Sequence, residues 1–456
     1  MKTHLTAVLL CLFLMAQLHA QTNVSGSIVS NATWTKANSP YIVTGNIAVF
    51  AGVSLTIEPG VEVRFNSSTQ IEFRDNASLY ANGTITDSIT FTSNQSNPQM
   101  NDWLGLDLQL IDVFEFSYAR LEYAETGIEG QGLSYPTSNI KIEHSRFYRN
   151  KVALDIVYHR FISVCSFIEN RVGITEVGEG SVISDCSFIQ NYEGIQGSGA
   201  SNPSTVRSSD FCGNHIGMSG VDSVIVCTIV NNDTGIAGQR NAYWLDNVIA
   251  FNHLGFEAGL KNGDVLQGSF VFKNNVGGAF TFVSGGYQFT DFTICENTLY
   301  DAIAVNSFKF NLSGICWCST DSSVIANKIY DGYDNVSLGL INFMPFTSCN
   351  SSALPSDPDT NCNDIGTDIE HIGIQETSNL IYPNPASNQV TLVFEQKGKG
   401  LVQIFRNDGV LVYRIQVNDS MRQLKIDVSG IPDGLYILKV VQNDGGTSMN
   451  KLIVSH

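Results

Sequence analysis

Beyond Met15 the chain has no apolar run approaching the length of a transmembrane helix, so helices are not expected to carry it across a bilayer. Charge is sparse too. Asp, Glu, Lys and Arg make up 15% of 456 residues, and their balance is -18 at pH 7. So acidic a chain disfavours nucleic acid, anionic lipid and acidic polysaccharides as direct ligands. No histidine accompanies the cysteines at zinc-like spacing, and the Asp- and Asn-rich stretch near residue 360 lacks EF-hand spacing. A Ser-His-Asp elbow, a phosphate loop and a zincin motif are all missing. These absences predict neither a cofactor nor a metal.

What is present is a repeat. An apolar residue, two variable ones and an Asn are followed by a small residue and another apolar one. The phrase reads Phe147-Tyr148-Arg149-Asn150 ending at Leu154, then Phe167-Ile168-Glu169-Asn170 ending at Ile174. Asn191, Asn214, Asn232, Asn252, Asn274 and Asn297 continue it, each 18 to 23 positions after the last. The flanks are too short and too β-branched for helices, so each period reads as a coil of short strands. Stacked coils of this size make a parallel β-helix, which needs no globular core. Asn suits the corner because it tolerates left-handed backbone and bonds neighbouring backbone; stacked, the amides also bond each other. A ligand-binding role for the same column is the alternative. Gly173, Gly194, Gly217, Gly235, Gly255 and Gly277 follow three residues on, where a positive φ is expected.

The predicted fold class is all-β: a right-handed parallel β-helix solenoid followed by a small antiparallel β-sandwich. Residues 1–20 read as a signal peptide, with apolar Ala7 to Met15 and cleavage after Ala20. Residues 21–347 form the solenoid, expected to hold about 14 coils in a rod about 65 Å long. Residues 348–377, rich in Asp, Ser, Asn and Pro, read as a solvated linker. Residues 378–456 alternate apolar and polar between Asn-Pro and Asp-Gly turns, as a small β-sandwich does.

Two stretches carry resemblances. Leu55 to Phe65, "LTIEPGVEVRF", with the later "NGT" and "ITFT", resembles the first coils of secreted bacterial right-handed β-helix proteins of the pectin-lyase-like kind. Asn311 to Phe346 is similar to their closing segment, although Cys316-Trp317-Cys318 stands where Asn-x-Trp-Gly is usual. The tail resembles the C-terminal sorting domain of the type IX secretion system of Bacteroidetes. Tyr382-Pro383-Asn384-Pro385, Asp427 through Gly434 to Tyr436, and Lys451-Leu452-Ile453-Val454 carry that likeness. It implies export through the type IX machinery, removal of the tail, and release or attachment at the outer-membrane surface.

Nine cysteines remain once Cys11 leaves with the signal peptide, so at least one thiol is expected to stay unpaired. Cys165, Cys186 and Cys227 share a register five residues before their Asn, which favours buried stacking over disulfides. Cys316, Cys318, Cys349 and Cys362 lie where a loose end gains most from cross-linking. Polysaccharide-active members of the resembled group place catalytic residues on an outward sheet face. Hydrolases need paired carboxylates, and lyases a base with a cation. Asp185 and Asp210 form one candidate pair. The other candidate is a concentration of Lys141, Tyr148, Lys151 and Arg160 around His144, Arg146, Arg149, His159 and Arg171, of which the last five are the candidate catalytic residues if the protein is an enzyme. Solubility and edge protection explain such residues equally well. Two functions stay open. One is a secreted or surface β-helix that presents a face to glycans or matrix without catalysis; the other is a polysaccharide lyase or glycoside hydrolase.

Overall fold

The computed structural model describes residues 21–456 apart from 75, 110, 131–138, 156–160, 178–179, 198–203, 240–242, 350–353, 363–379, 395–399, 407–410, 418–421 and 443–446. The signal-peptide reading therefore lies outside the described residues. The chain divides into two units, Met1–Ile369 and Glu370–His456.

One coil of the first unit shows how the sequence folds. Strand Phe161–Ser163 ends at Val164, whose φ of 53° turns the chain into strand Ser166–Ile168. Glu169, also at φ 53°, turns it again past Asn170 into Val172–Val177. The next coil lies on this one in parallel register, with Val182 over Phe161, Ser187 over Ser166 and Glu193 over Val172. Twelve first strands, from Ala32–Trp34 to Gln288–Thr290, form one parallel sheet. The second and third strands form two more stacks that share the long strand Tyr41–Val49 at their base. The count of about 12 turns is lower than the 14 expected. After Ala304 the coiling becomes irregular: Cys316 still pairs with Thr293 and Ile329–Tyr330 with Ala302 and Ile303, and the cap is built around them from helix Ser322–Ala326 and the two-residue strands Phe310–Asn311 and Ile341–Asn342.

Inside, Phe147, Phe167, Phe188 and Phe211 stack with centroids 5.0, 4.8 and 4.6 Å apart and planes within 6°. Ile229, Ile249, Val271 and Ile294 extend the column, all fully buried. Beside it runs the asparagine column. Asn191 Oδ1 accepts from the backbone N–H of Asn170 at 2.9 Å and from its Nδ2 at 3.0 Å. Asn191 Nδ2 in turn donates to Phe167 O and to Asn214 Oδ1. The same pattern links Asn150 to Asn170, then Asn214, Asn232, Asn252, Asn274 and Asn297 in order. Each left-handed corner residue turns the next N–H inward, and the asparagine one coil on receives it. Both lone pairs and both hydrogens of the Asn191 amide are thus used inside the stack.

The expectation of positive φ at the glycine column is corrected. Gly173, Gly194, Gly217, Gly235, Gly255 and Gly277 are not among the left-handed residues; the corner residues just before the ladder are. Close approach is what requires glycine. A Cβ on Gly194 would stand 2.4 Å from Gly217 O, and one on Gly217 2.4 Å from Gly235 O.

A second polar column lines the other corner. Ser145 Oγ, Ser209 Oγ and Ser269 Oγ each donate to the carbonyl two residues back. Cys165, Cys186 and Cys227 thiols do the same at 3.3 to 3.4 Å. Next coils answer with Ser209 Oγ accepting from Cys186 N–H and Asn247 Oδ1 from Cys227 N–H. The three thiols are free and buried. Burial pushes the Cys186 thiol well up, so it stays protonated and can donate.

Disulfides join Cys295 to Cys318, Cys316 to Cys349 and Cys212 to Cys362. The last lies in the stretch read as linker, part of which packs on the solenoid. The second unit holds a three-stranded and a four-stranded antiparallel sheet around Val390, Leu392, Ile404, Ile426, Leu438 and Leu452. No helix among the described residues is long and apolar enough to cross a membrane.

Candidate functional site

Among the described residues, the basic concentration runs round the corners and strands of one coil and into the start of the next. His144 sits at a left-handed corner, its ring stacked on Tyr118 at 4.7 Å. Arg146, buried in the following strand, lies over the Tyr148 ring at 5.2 Å. Arg149 closes that strand at the next corner, 5.0 Å from the same ring, and pairs with Glu169 at 2.7 Å. That bond raises the Arg149 pKa further. Arg171 is exposed at the corner one coil on, and His159 and Arg160 lie outside the described residues. Lys141 pairs with Glu143 at 2.6 Å and Lys151 with Glu125 at 2.8 Å. Burial, with Glu169 adding to it, raises the Tyr148 phenol, so it is not poised as a base. Asp185 is a corner residue, whereas Asp210 starts a strand and pairs with Ser187, so the two stand in different columns.

A different group of residues does converge. Glu72, Asp107, Glu129 and Asp155 follow one another in register across four coils on the outer face of the third strands. Gly105 lets two strands approach closely there. Its φ is 135°, a Cβ would fall 1.7 Å from Thr126 O, and the register shifts between Thr126 and Ile128. The bulge re-aims the neighbouring side chains. It leaves a cleft of about 310 Å³ lined by Gln70, Leu104, Gly105, Leu106, Asp107, Glu125, Thr126 and Glu129. Burial raises the Asp107 pKa, opposed by its bond from Gln109 and supported by Glu72. Burial also raises Glu129, and Asp107, Asp155 and Glu125 add like-charge repulsion. Such carboxyls accept hydrogen bonds from hydroxyl groups when ionised and donate one when protonated. Sequence reading missed this column because the asparagine register begins only at Asn150, leaving the earlier coils unaligned.

In the tail, Asn384 Oδ1 accepts from Ile453 N–H at 2.8 Å, tying the Tyr382-Pro383-Asn384-Pro385 segment to the last strand. Asp427 holds Ser429 through its backbone N–H and hydroxyl. Tyr436 Oη donates to Pro432 O at 2.7 Å, Gly434 opens strand Gly434–Gln442, and Lys451 pairs there with Ile437.

Residues 380–455 match the family described as secretion system C-terminal sorting domain, and residues 26–109 match the pectate-lyase like beta helix domain. The fold and these matches define a parallel β-helix protein with a type IX sorting tail. That tail marks the chain for export to the cell surface or the extracellular space. No curated protein matches the chain.

Proposed function

We propose that the exported solenoid is a binding protein for a neutral or amino-sugar glycan, and that it holds this ligand in the cleft of Asp107, Glu125 and Glu129. The cleft is the observation that carries the reading. Its lining is acceptor-rich and polar, which suits sugar hydroxyls and ammonium groups and repels uronates. The chain's net charge of -18 points the same way. The basic concentration supports a structural role in this reading, because Lys141, Arg149 and Lys151 each hold a carboxylate of the protein. A lyase would need such cations for its substrate.

A second reading, glycoside hydrolysis, draws on one specific feature: Asp107 and Glu129 stand on adjacent strands and both are raised by burial. A carboxyl held protonated beside an ionised one is what acid-assisted glycoside cleavage requires. Incubation of the purified protein with a panel of neutral, aminated and acidic polysaccharides decides between the two. Retention without new reducing or unsaturated ends, reduced tenfold or more in Asp107→Asn with Glu129→Gln, is the expected result. New reducing ends would favour the hydrolase. Retention unchanged in the double variant, or confined to uronate polymers, would overturn the assignment to this cleft.

A further inference from the structure

The described segment beyond the cap lies lengthwise on the solenoid, across its coils. Asp357 takes Lys273 Nζ at 2.5 and 2.7 Å, Thr360 O accepts from Asn231 Nδ2 at 2.7 Å, and Cys362 is bonded to Cys212. Lys273, Asn231 and Gly213 are left-handed corner residues of successive or nearby coils, so residues 357–362 run back along one corner column. An extended chain of this length spans about three coils. Beneath it Cys212, Val230, Ala250 and Phe272 form an outer apolar cluster that Leu354 and Cys362 cover. The bond to Cys212 closes a loop of 150 residues, and the other two disulfides lie inside it.

We propose that this strap is a load path: tension on the chain beyond Cys362 enters the solenoid at Cys212 and bypasses the cap. A solenoid is quasi-one-dimensional, each coil contacting only its neighbours, so force on its last coil peels it strand by strand. Force through Cys212 meets a strand bonded on both sides, by Ser187–Ile189 and by Thr228–Val230. The proposal rests on the sorting tail in one respect. A tail held by export machinery or by the surface is what would pull on Cys362. The apolar cluster and the Lys273–Asp357 pair keep the strap seated, so the covalent link is loaded along the rod.

Single-molecule pulling of the full chain from its two ends, under oxidising conditions, tests this. Wild type should show no early steps from the cap. Its total extension should fall short by about 350 Å of that of Cys212→Ser with Cys362→Ser, the length of the loop withheld once the Cys295–Cys318 and Cys316–Cys349 bonds, intact in both proteins, are allowed for. The double variant should release cap coils first, in low-force steps. Cap steps at the same force in both proteins would overturn the proposal. If the variant does not fold, oxidised wild type alone decides, since an extension that includes the residues between Cys212 and Cys362 refutes the load path. Failure of the sorting reading would appear in cell fractionation and leave this measurement untouched.

Discussion

Asp301 ends the asparagine column, and its replacement by Asn is the sharpest test of how that column works. Its Oδ1 takes the backbone N–H of Asn297 at 3.2 Å and Asn297 Nδ2 at 2.8 Å, the role that each asparagine from Asn170 to Asn297 plays for the one before it. It is 4% exposed, and burial, opposed by the Asn297 bonds and Lys328, raises its pKa from 3.8 to about 6. The sign follows directly. A carboxyl whose folded pKa exceeds its unfolded value binds protons more tightly when folded. Its contribution is therefore complete below 3.8 and lost as pH rises through about 6. Above that the ionised group destabilises the fold by about 3 kcal/mol. Asp301→Asn keeps the acceptor and removes the charge, so it should stabilise the protein at pH 7 by about 1 to 3 kcal/mol. The lower bound allows for an imperfect partner for the new amide hydrogens. Near pH 4 the carboxyl is already neutral when folded, and the advantage should shrink towards zero. Matched thermal unfolding of the two proteins, followed by circular dichroism at both pH values, reads the difference. An advantage that persists unchanged at pH 4, or a variant less stable at pH 7, would refute the reasoning.

Three further outcomes are expected. Asn191→Ala removes four saturated hydrogen-bonding sites from a buried amide and leaves Asn170 N–H without its acceptor, for a loss of about 1 to 3 kcal/mol; an unchanged midpoint would show that water or a neighbour replaces it. Gly217→Ala drives a Cβ to 2.4 Å from Gly235 O, where only backbone can yield. It should destabilise by about 1 to 3 kcal/mol, and a neutral result would mean that the coils separate without penalty. Deletion of 378–456 should leave the solenoid folded, because each unit has its own core, but keep it from the outside of the cell. Truncated protein recovered outside at wild-type amounts would contradict the sorting role.

The asparagine column could be read because one residue type serves it in eight coils at nearly fixed spacing. Its partner column could not, since Ser, Cys and Asn share that corner and only the cysteines stand out by type. Ser and Cys there share a short donor that reaches the carbonyl two residues back, whereas Asn247 reaches Val224 O of the preceding coil, and three residue types conceal the column. The glycines were legible as a column, but their reason was not. Composition suggests a left-handed turn, and only the stacked carbonyls reveal a steric requirement. The strap was hidden for a different reason. Asp, Pro and Asn describe a solvated segment, and nothing local announces a bond to a cysteine 150 positions earlier.

The cleft's position follows from how the coils absorb differences in length. Phe161 to Asn170, Val182 to Asn191, Thr205 to Asn214 and Ser223 to Asn232 are all nine positions apart, from the start of the first strand to the ladder residue. The whole variation of the repeat therefore falls after the asparagine, in the third strand and the turn that follows it. Register shifts between third strands occur at Thr126, Thr175, Ile236 and Ala258. Inward columns cannot change without breaking a saturated ladder or a stacked core, since each position is bonded or packed on both sides. The outward positions of the third strands carry no such constraint, so altered side chains accumulate there at little energetic cost. Gly105 and Thr126 are one such break, and the acidic cleft lies at it. A solenoid of this kind can vary its outer face along one stack of strands while the inward columns keep the rod intact.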